Sequence, residues 1–336
     1  MMVVLMASMS NYKLLFEPVC YDHSASLIGA TPWAVSRDAD LMAQAHIKAM
    51  DTYGYEHCVV GVDIYNIEIE AYGCQIAQPP GNGVPTADDP PFDSPDELLD
   101  LQYDINGDGR FQLILSAAKQ IQAARPEVKV SIPMAGPFTI ASHLIGLENM
   151  ICELFSEPEL AIAALEHLAR NQLAYGRAAR AAGFGIALFE SSVTPPLLSP
   201  DLFRTGVLPV LSELIGHLSS VDDPVPLQLI IGGNTLPILD AMLETGAAYL
   251  IAPCECDQAA FAKALPTEGG PWVRFNMNPA VFLPGQQAAA LQEAERLRAI
   301  ASHYPPASVG SLIPFEADPA IVKQVAEWFC ASTFFD

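Results

Sequence analysis

Residues 128–146, VKVSIPMAGPFTIASHLIG, decide how the chain is read. An apolar run ends at Pro133, a tight Gly136-Pro137 turn follows, and a helix begins whose first turn carries Thr139. A buried parallel strand hands over to its crossover helix in this way. The alternation continues on both sides. Asp38 is placed to cap a helix running through His46 to Tyr53. Strands are expected at 57–63, 128–133, 185–190, 226–231, 248–252, 272–276 and 308–312. Helices are expected at 67–73, 110–124, 136–147, 158–182, 200–218, 235–245, 257–265, 286–302 and 319–329. Seven strands are legible, and an eighth is poorly formed or hidden near the N-terminus. Such a series without a linker predicts an α/β fold, a single (β/α)8 barrel spanning 1–336, with 1–25 as an N-terminal extension. A doubly wound open sheet is the alternative. Residues 75–95, rich in Pro, Gly and Asp, form a loop too long to be idle and are read as a cover over the barrel mouth.

Composition narrows the function. The chain is 51% hydrophobic and 16% charged, which a parallel sheet buried on both faces requires. Its net charge is −23, from 39 acidic and 16 basic residues. Nucleic acid and anionic membrane are therefore poor partners, because phosphate must be met by Lys and Arg. No run reaches the length of a spanning helix, and MMVVLMASMS lacks the basic flank of a signal peptide, so a cytoplasmic protein is expected. Seven irregularly spaced cysteines read as reduced thiols. No G-x-G-x-x-G or G-x-x-x-x-G-K-[ST] follows a strand, which removes dinucleotides and nucleoside triphosphates.

In a barrel the chemistry belongs at the carboxyl ends of the strands. Asp63 and Glu190 each end an apolar run, VVGVD and IALFE, and are the candidate catalytic carboxylates. Partial burial raises a carboxyl pKa toward neutrality, where proton transfer is efficient. The alternative for each is a carboxylate that caps a helix or pairs with an arginine. Phe138, Thr139, Asn234, Asn276 and Ser311 lie at other strand ends, and His143 sits on the helix after the Gly-Pro turn. Cys254 and Cys256 are weak candidates for a soft metal, set against two ordinary buried thiols. Asp104, Asn106, Asp108 and Gly109 match half of a calcium loop, but Leu115 stands where a bidentate Glu belongs, so the segment reads as a polar turn into the helix from Arg110.

Several segments together resemble the uroporphyrinogen decarboxylase superfamily. They are Pro32-Trp33, GVDIYNIEIEAYGC at 61–74, GPFTIASHLIG at 136–146, SSVTPPLLSPDLF at 191–203, GGNTLPILDAMLETGA at 232–247 and NPAVFLPG at 278–285. The resemblance covers roughly residues 29–329 and implies a (β/α)8 barrel with its site at the mouth. It implies that Asp63 corresponds to the aspartate that hydrogen-bonds pyrrole nitrogens in the decarboxylases, and that Trp33, Arg37 and Tyr65 join the substrate-binding positions. The arginine-rich N-terminal segment of those enzymes is reduced here to Arg37, and their late histidine is missing. In the zinc-dependent methyltransferase branch the metal ligands correspond to Ile230, Gly232 and Ser311, so the family zinc site is lost.

Three readings follow. The first is methyl transfer involving a corrinoid or a small methylated compound, with a corrinoid protein as a candidate partner. The second is a cofactor-free decarboxylase of a uroporphyrinogen-like tetrapyrrole or another carboxylic acid. The third is a non-catalytic tetrapyrrole- or corrinoid-binding barrel. A homodimer is expected by analogy with the decarboxylases.

Overall fold

The computed structural model describes residues 14–331, apart from positions 88, 221, 222 and 305. Eight strands form one sheet: β1 (Leu15–Val19), β2 (His57–Val59), β3 (Lys129–Ala135), β4 (Gly185–Phe189), β5 (Gln228–Ile230), β6 (Tyr249–Ala252), β7 (Trp272–Asn276) and β8 (Ala307–Leu312). Their order is β1-β8-β7-β6-β5-β4-β3-β2, and every pairing is parallel. β1 and β2 lie side by side at the seam, so the sheet curls into a nearly closed (β/α)8 barrel. A small cavity of about 10 Å³ lies at the seam, lined among others by Glu17, Cys20, His57, Cys58 and Arg274.

Side-chain alternation builds two cores. Ala187, Phe189, Ile230, Tyr249 and Ile251 face the barrel interior and cluster with Tyr21, Val59 and Ile64. Their neighbours Ile186, Leu188, Leu229, Leu250 and Ala252 point outward into the layer shared with the helices. Period-two alternation with both faces buried explains why these strands read as continuous apolar runs.

The lower interior is polar but internally paired. Tyr249 donates its hydroxyl to Glu17 Oε2 at 2.8 Å, and Trp272 Nε1 donates to Ser308 Oγ at 3.1 Å. His57 lies 3.6 Å from Glu17 and 2.7 Å from Gln228 Nε2. Burial would raise the Glu17 carboxyl, but the hydrogen bond and charge of His57 and the charge of Arg274 together hold it at about 2.

The expected eighth strand is β1, and it falls inside the segment read as an N-terminal extension. Its sequence, LFEPV, hid it because Glu17 and Pro18 interrupt the apolar run. Pro18 has no N–H to give, which a strand bordering the seam tolerates. A further helix, Leu147–Ser156, was not expected; it turns only Met150 and Leu154 fully into the core and leaves Phe155 79% exposed. The opening MMVVLMASMS lies outside the described residues. Among the described residues no helix is long and apolar enough to cross a membrane. The 75–95 segment carries a short hairpin, Ile76–Ala77 with Thr86–Ala87. It is tied to the strand-end face where Pro85 accepts from Asn66 Nδ2 at 2.8 Å and where Phe92 donates to the Leu144 carbonyl at 3.1 Å.

Barrel closure at β8 depends on a missing side chain. A Cβ at Gly310 would lie 2.5 Å from Arg274 Cδ and 2.5 Å from the Glu17 carbonyl oxygen, and the latter is backbone that cannot step aside. Gly310→Ala is expected to cost about 1–3 kcal/mol of stability by overpacking, read as a lower urea midpoint at unchanged slope.

Candidate active site

Two carboxylates stand at strand ends, and their surroundings differ. Asp63, four residues past β2, is 4% exposed. Arg110 grips it through two parallel bonds, Nη1 to Oδ1 and Nη2 to Oδ2, each 2.8 Å. Asn66 Nδ2 adds a third donor to Oδ2 at 3.1 Å. Arg110 stands at the N-terminal end of the Phe111–Ala124 helix, 47 residues away in sequence. Its Nε donates to Glu70 Oε2 at 2.6 Å, and Arg37 pairs with the other oxygen of Glu70. The Arg37 guanidinium lies 4.5 Å from the Trp33 ring centroid. Asp63, Arg110, Glu70 and Arg37 thus form a chain of alternating charge. For Arg110 burial alone would lower the pKa, but Asp63 and Glu70 outweigh it and hold the guanidinium protonated.

Glu190, at the end of β4, is fully buried. Its Oε1 accepts the backbone N–H groups of Phe138 at 2.9 Å and Thr139 at 3.2 Å, the first turn of the Pro137–Ile145 helix. Its Oε2 has no hydrogen-bond partner. That oxygen occupies the place where a Cβ at Gly136 would sit, 1.2 Å away, so the turn must be glycine. Burial pushes the Glu190 carboxyl up to about 8 against the pull of the two amides. At neutral pH it is mostly protonated, with a proton and no acceptor for it.

Aromatic side chains connect this region to the barrel interior. Tyr65 donates or accepts at Ser191 Oγ, 2.7 Å away, and its ring packs edge-on to Phe189 at 5.9 Å and lies 6.4 Å from His143. Tyr21 meets Phe189 from the other side at 6.1 Å. Burial lowers the His143 pKa, which favours a neutral imidazole, and raises that of the Tyr65 phenol. Thr139 Oγ1 accepts from Ser192 N at 3.3 Å, which stitches the two strand ends together.

The structure places the remaining candidates elsewhere. Asn276, at the end of β7, accepts from Arg274 Nε at 2.9 Å inside the barrel. Asn234 is exposed and no side chain caps the turn that follows it. Ser311 is fully buried and donates to the carbonyls of Met277 and Leu312, so its hydroxyl is spent on backbone. Cys256 donates to the Pro253 carbonyl at 3.0 Å. Burial pushes the Cys254 thiol up to about 12 and that of Cys256 to about 11. Asp104 and Asp108 are used in their own turn, each accepting a backbone N–H within it, rather than converging on a cation.

The donor set does not fit a zinc ion. Ile230 and Gly232 carry no ligand atom, and Ser311 is committed as described. Among the described residues no group of three or more His, Cys, Asp or Glu side chains is arranged to hold a metal. Sequence reasoning also missed Asn66, Glu68, Glu70 and Arg110. One signal was present: N-I-E-I-E puts acids between isoleucines in a short helix, where burying Ile67 and Ile69 drags Glu68 inside with them.

Comparison with known proteins agrees with this frame. The family model described as uroporphyrinogen decarboxylase (URO-D) matches residues 21–329. The chain belongs to the uroporphyrinogen decarboxylase family. This family member is 27% identical over 216 residues to a methylated-thiol–coenzyme M methyltransferase of Methanosarcina mazei, covering 62% of the chain and 55% of that protein. It is 27% identical over 218 residues to the methylcobamide:CoM methyltransferase MtaA of Methanosarcina barkeri, covering 64% of the chain and 63% of the relative. It is 29% identical over 217 residues to a uroporphyrinogen decarboxylase of Saccharopolyspora erythraea, covering 59% of the chain and 58% of the relative. The chain thus spans less than two thirds of each of these relatives. A solved structure of a methyltransferase from Methanosarcina mazei shares the fold, with a TM-score of 0.77 at 22% identity, covering 95% of both chains.

Two outcomes follow from the site geometry. Arg110→Leu leaves Asp63 buried without its partner and is expected to cost about 3–5 kcal/mol in urea denaturation, with Asp63→Asn in the same background recovering part of the loss. For Glu190 the folded pKa of about 8 lies above the ordinary carboxyl value of 4.5, so the unfolded chain ionises first and stability falls as pH rises through that window. Glu190→Gln removes this contribution, expected at up to about 1.4 kcal/mol per pH unit, and flattens the stability profile between those pH values.

Proposed function

We propose that this family member catalyses methyl transfer between a small methylated compound and a corrinoid at the mouth of the barrel. The observation that carries the reading is the pairing of the arginines. Arg37 and Arg110, the cations that reach Asp63 and its surroundings, are both consumed by Glu70 and Asp63. A polycarboxylate needs free guanidinium groups to hold it, and these two are not free. A small substrate of low charge suits a site whose charges already cancel.

The residues then divide the work. A reduced corrinoid bound at the mouth would supply the electron pair for the new bond to the methyl group. As the methyl group leaves its heteroatom, the bonding electron pair stays behind on that atom and requires a proton. Glu190 holds that proton in a dry setting and passes it from Oε2 to the leaving heteroatom, then regains one from water. The Asp63–Arg110 pair, Tyr65 and His143 orient the substrate, and Trp33, Phe138 and Thr139 shape its surroundings. Val84, Leu197 and Leu283, in segments that follow strands, and Leu312 at the end of β8 are exposed apolar side chains that a large, partly apolar co-substrate would cover. The names of the methyltransferase relatives support the same class.

The decarboxylase alternative draws on Asp63 and on the decarboxylase relatives. Its Asp63 would have to face the substrate, whereas both oxygens here accept from Arg110 and Asn66. The test is incubation of the purified protein with reduced cobalamin and a panel of methyl ethers, thioethers and methylamines, followed by the corrinoid absorption spectrum. Methylation of the corrinoid with at least one donor is expected, slowed about 10²–10⁴-fold by Glu190→Gln. Tight uroporphyrin binding with loss of carboxylates from the reduced porphyrinogen, and no methyl transfer from any donor, overturns the proposal in favour of the lyase.

A further inference from the structure

The Gly136 turn, which holds Glu190, is itself held from behind. Ala135, the last residue of β3, donates its backbone N–H to Glu68 Oε1 at 3.0 Å. Its carbonyl accepts from Gln172 Nε2 at 2.6 Å. Gln172 Nε2 also reaches Glu68 Oε1 at 3.4 Å, so the two side chains close a ring around the backbone of one residue. The orientation of the Gln172 amide follows from this, because the Ala135 carbonyl can only accept. Glu68 comes from the Asn66–Ala71 helix and Gln172 from the middle of the Pro158–Ala181 helix; both are fully buried. One residue further on, Gly136 N donates to the Phe189 carbonyl at 2.7 Å, immediately before Glu190.

Packing alone does not account for the pair. Burying a carboxyl and a carboxamide is costly unless their bonds are made, and an apolar pair of the same volume would fill the space more cheaply. Here Glu68 Oε2 and Gln172 Oε1 find no hydrogen-bond partner. The bonds that are made converge on the backbone of a single residue, Ala135, whose carbonyl side begins the turn whose amides fix Glu190.

We propose that Glu68 and Gln172 are positioning residues for Glu190, clamping the Ala135 peptide so that the Phe138 and Thr139 amides stay aimed at its carboxyl. Neither touches the mouth; each acts through the turn. Like the proton-donor role of Glu190, their catalytic relevance rests on the methyl-transfer reading, but the clamp has readouts that do not.

The experiment compares wild type with Glu68→Gln, Glu68→Leu and Gln172→Leu. Local hydrogen exchange is followed for the peptide covering 136–145 and normalised to the Gln287–Ala301 helix. Glu190 is titrated by its carboxyl infrared bands, assigned by difference from Glu190→Gln. Glu68→Gln keeps an acceptor for Ala135 N and is expected to behave as wild type on both readouts. Gln172→Leu and Glu68→Leu are expected to speed exchange in 136–145 by about tenfold over the reference helix. As water gains access, the Glu190 midpoint should fall by about one pH unit or more from its raised value. Equal loosening of both segments with an unmoved Glu190 midpoint overturns the clamp. Should Glu68→Leu fail to fold, Gln172→Leu decides alone. Absence of methyl transfer in the wild type, with the local response intact, overturns the functional reading and leaves the clamp standing.

Discussion

One short helix, Asn66–Ala71, carries polar side chains into the protein interior, and their need for partners organises the mouth of the barrel. Asn66 joins Asp63 to the 75–95 segment, Glu68 holds the end of β3, and Glu70 binds two arginines at once. Such groups are intolerable in a low-dielectric interior without hydrogen bonds or counter-charges. Each therefore dictates where another element must stand: the Phe111–Ala124 helix must deliver Arg110, the segment after the Pro32–Ser36 helix must deliver Arg37, and β3 must present its last peptide. The apolar cores make the barrel stable, but these polar demands fix its upper end.

The same physics separates the two carboxylates. Asp63 is buried with a guanidinium facing it, and both of its oxygens accept from Arg110. Glu190 has only two amide donors and an oxygen pressed against a glycine, so desolvation wins and its proton is retained. Two acids in such different surroundings suit the proposed division of work, in which one orients and the other donates.

The strands were legible because a parallel barrel buries both faces, so strands such as β4 and β6 appear as unbroken apolar runs. β1 escaped notice because Glu17 points into the polar lower interior, where His57 and Tyr249 receive it, and nothing local announces those partners. At the site, Asp63 and Glu190 stood out by ending apolar runs, and one alternative considered for Asp63, pairing with an arginine, is what the structure shows. The identity of that arginine was not legible. Arg110 follows a Gly-Asp-Gly turn that reads as surface, and only the fold brings it across to Asp63. Ser311 misled for the opposite reason: it lies in a strand whose end faces the mouth, but alternation turns its side chain outward to backbone carbonyls.

A net charge of −23 suggests an acidic site, but the charges around Asp63 cancel locally, since Asp63 and Glu70 are matched by Arg110 and Arg37. The general acidity therefore belongs to the surface and governs what approaches, discouraging polyanions over distances of about a Debye length, ~8 Å at physiological salt. The local neutrality governs what is held. A substrate bound there meets aromatic edges, a neutral imidazole and a protonated carboxyl, none of which rewards a formal negative charge. Ile230 packs beside Phe189 and extends the apolar interior at this end of the barrel. Surface charge and site polarity thus act at different ranges but reject the same class of ligand, which is the basis for proposing a chemistry at the mouth in which the protein supplies a proton.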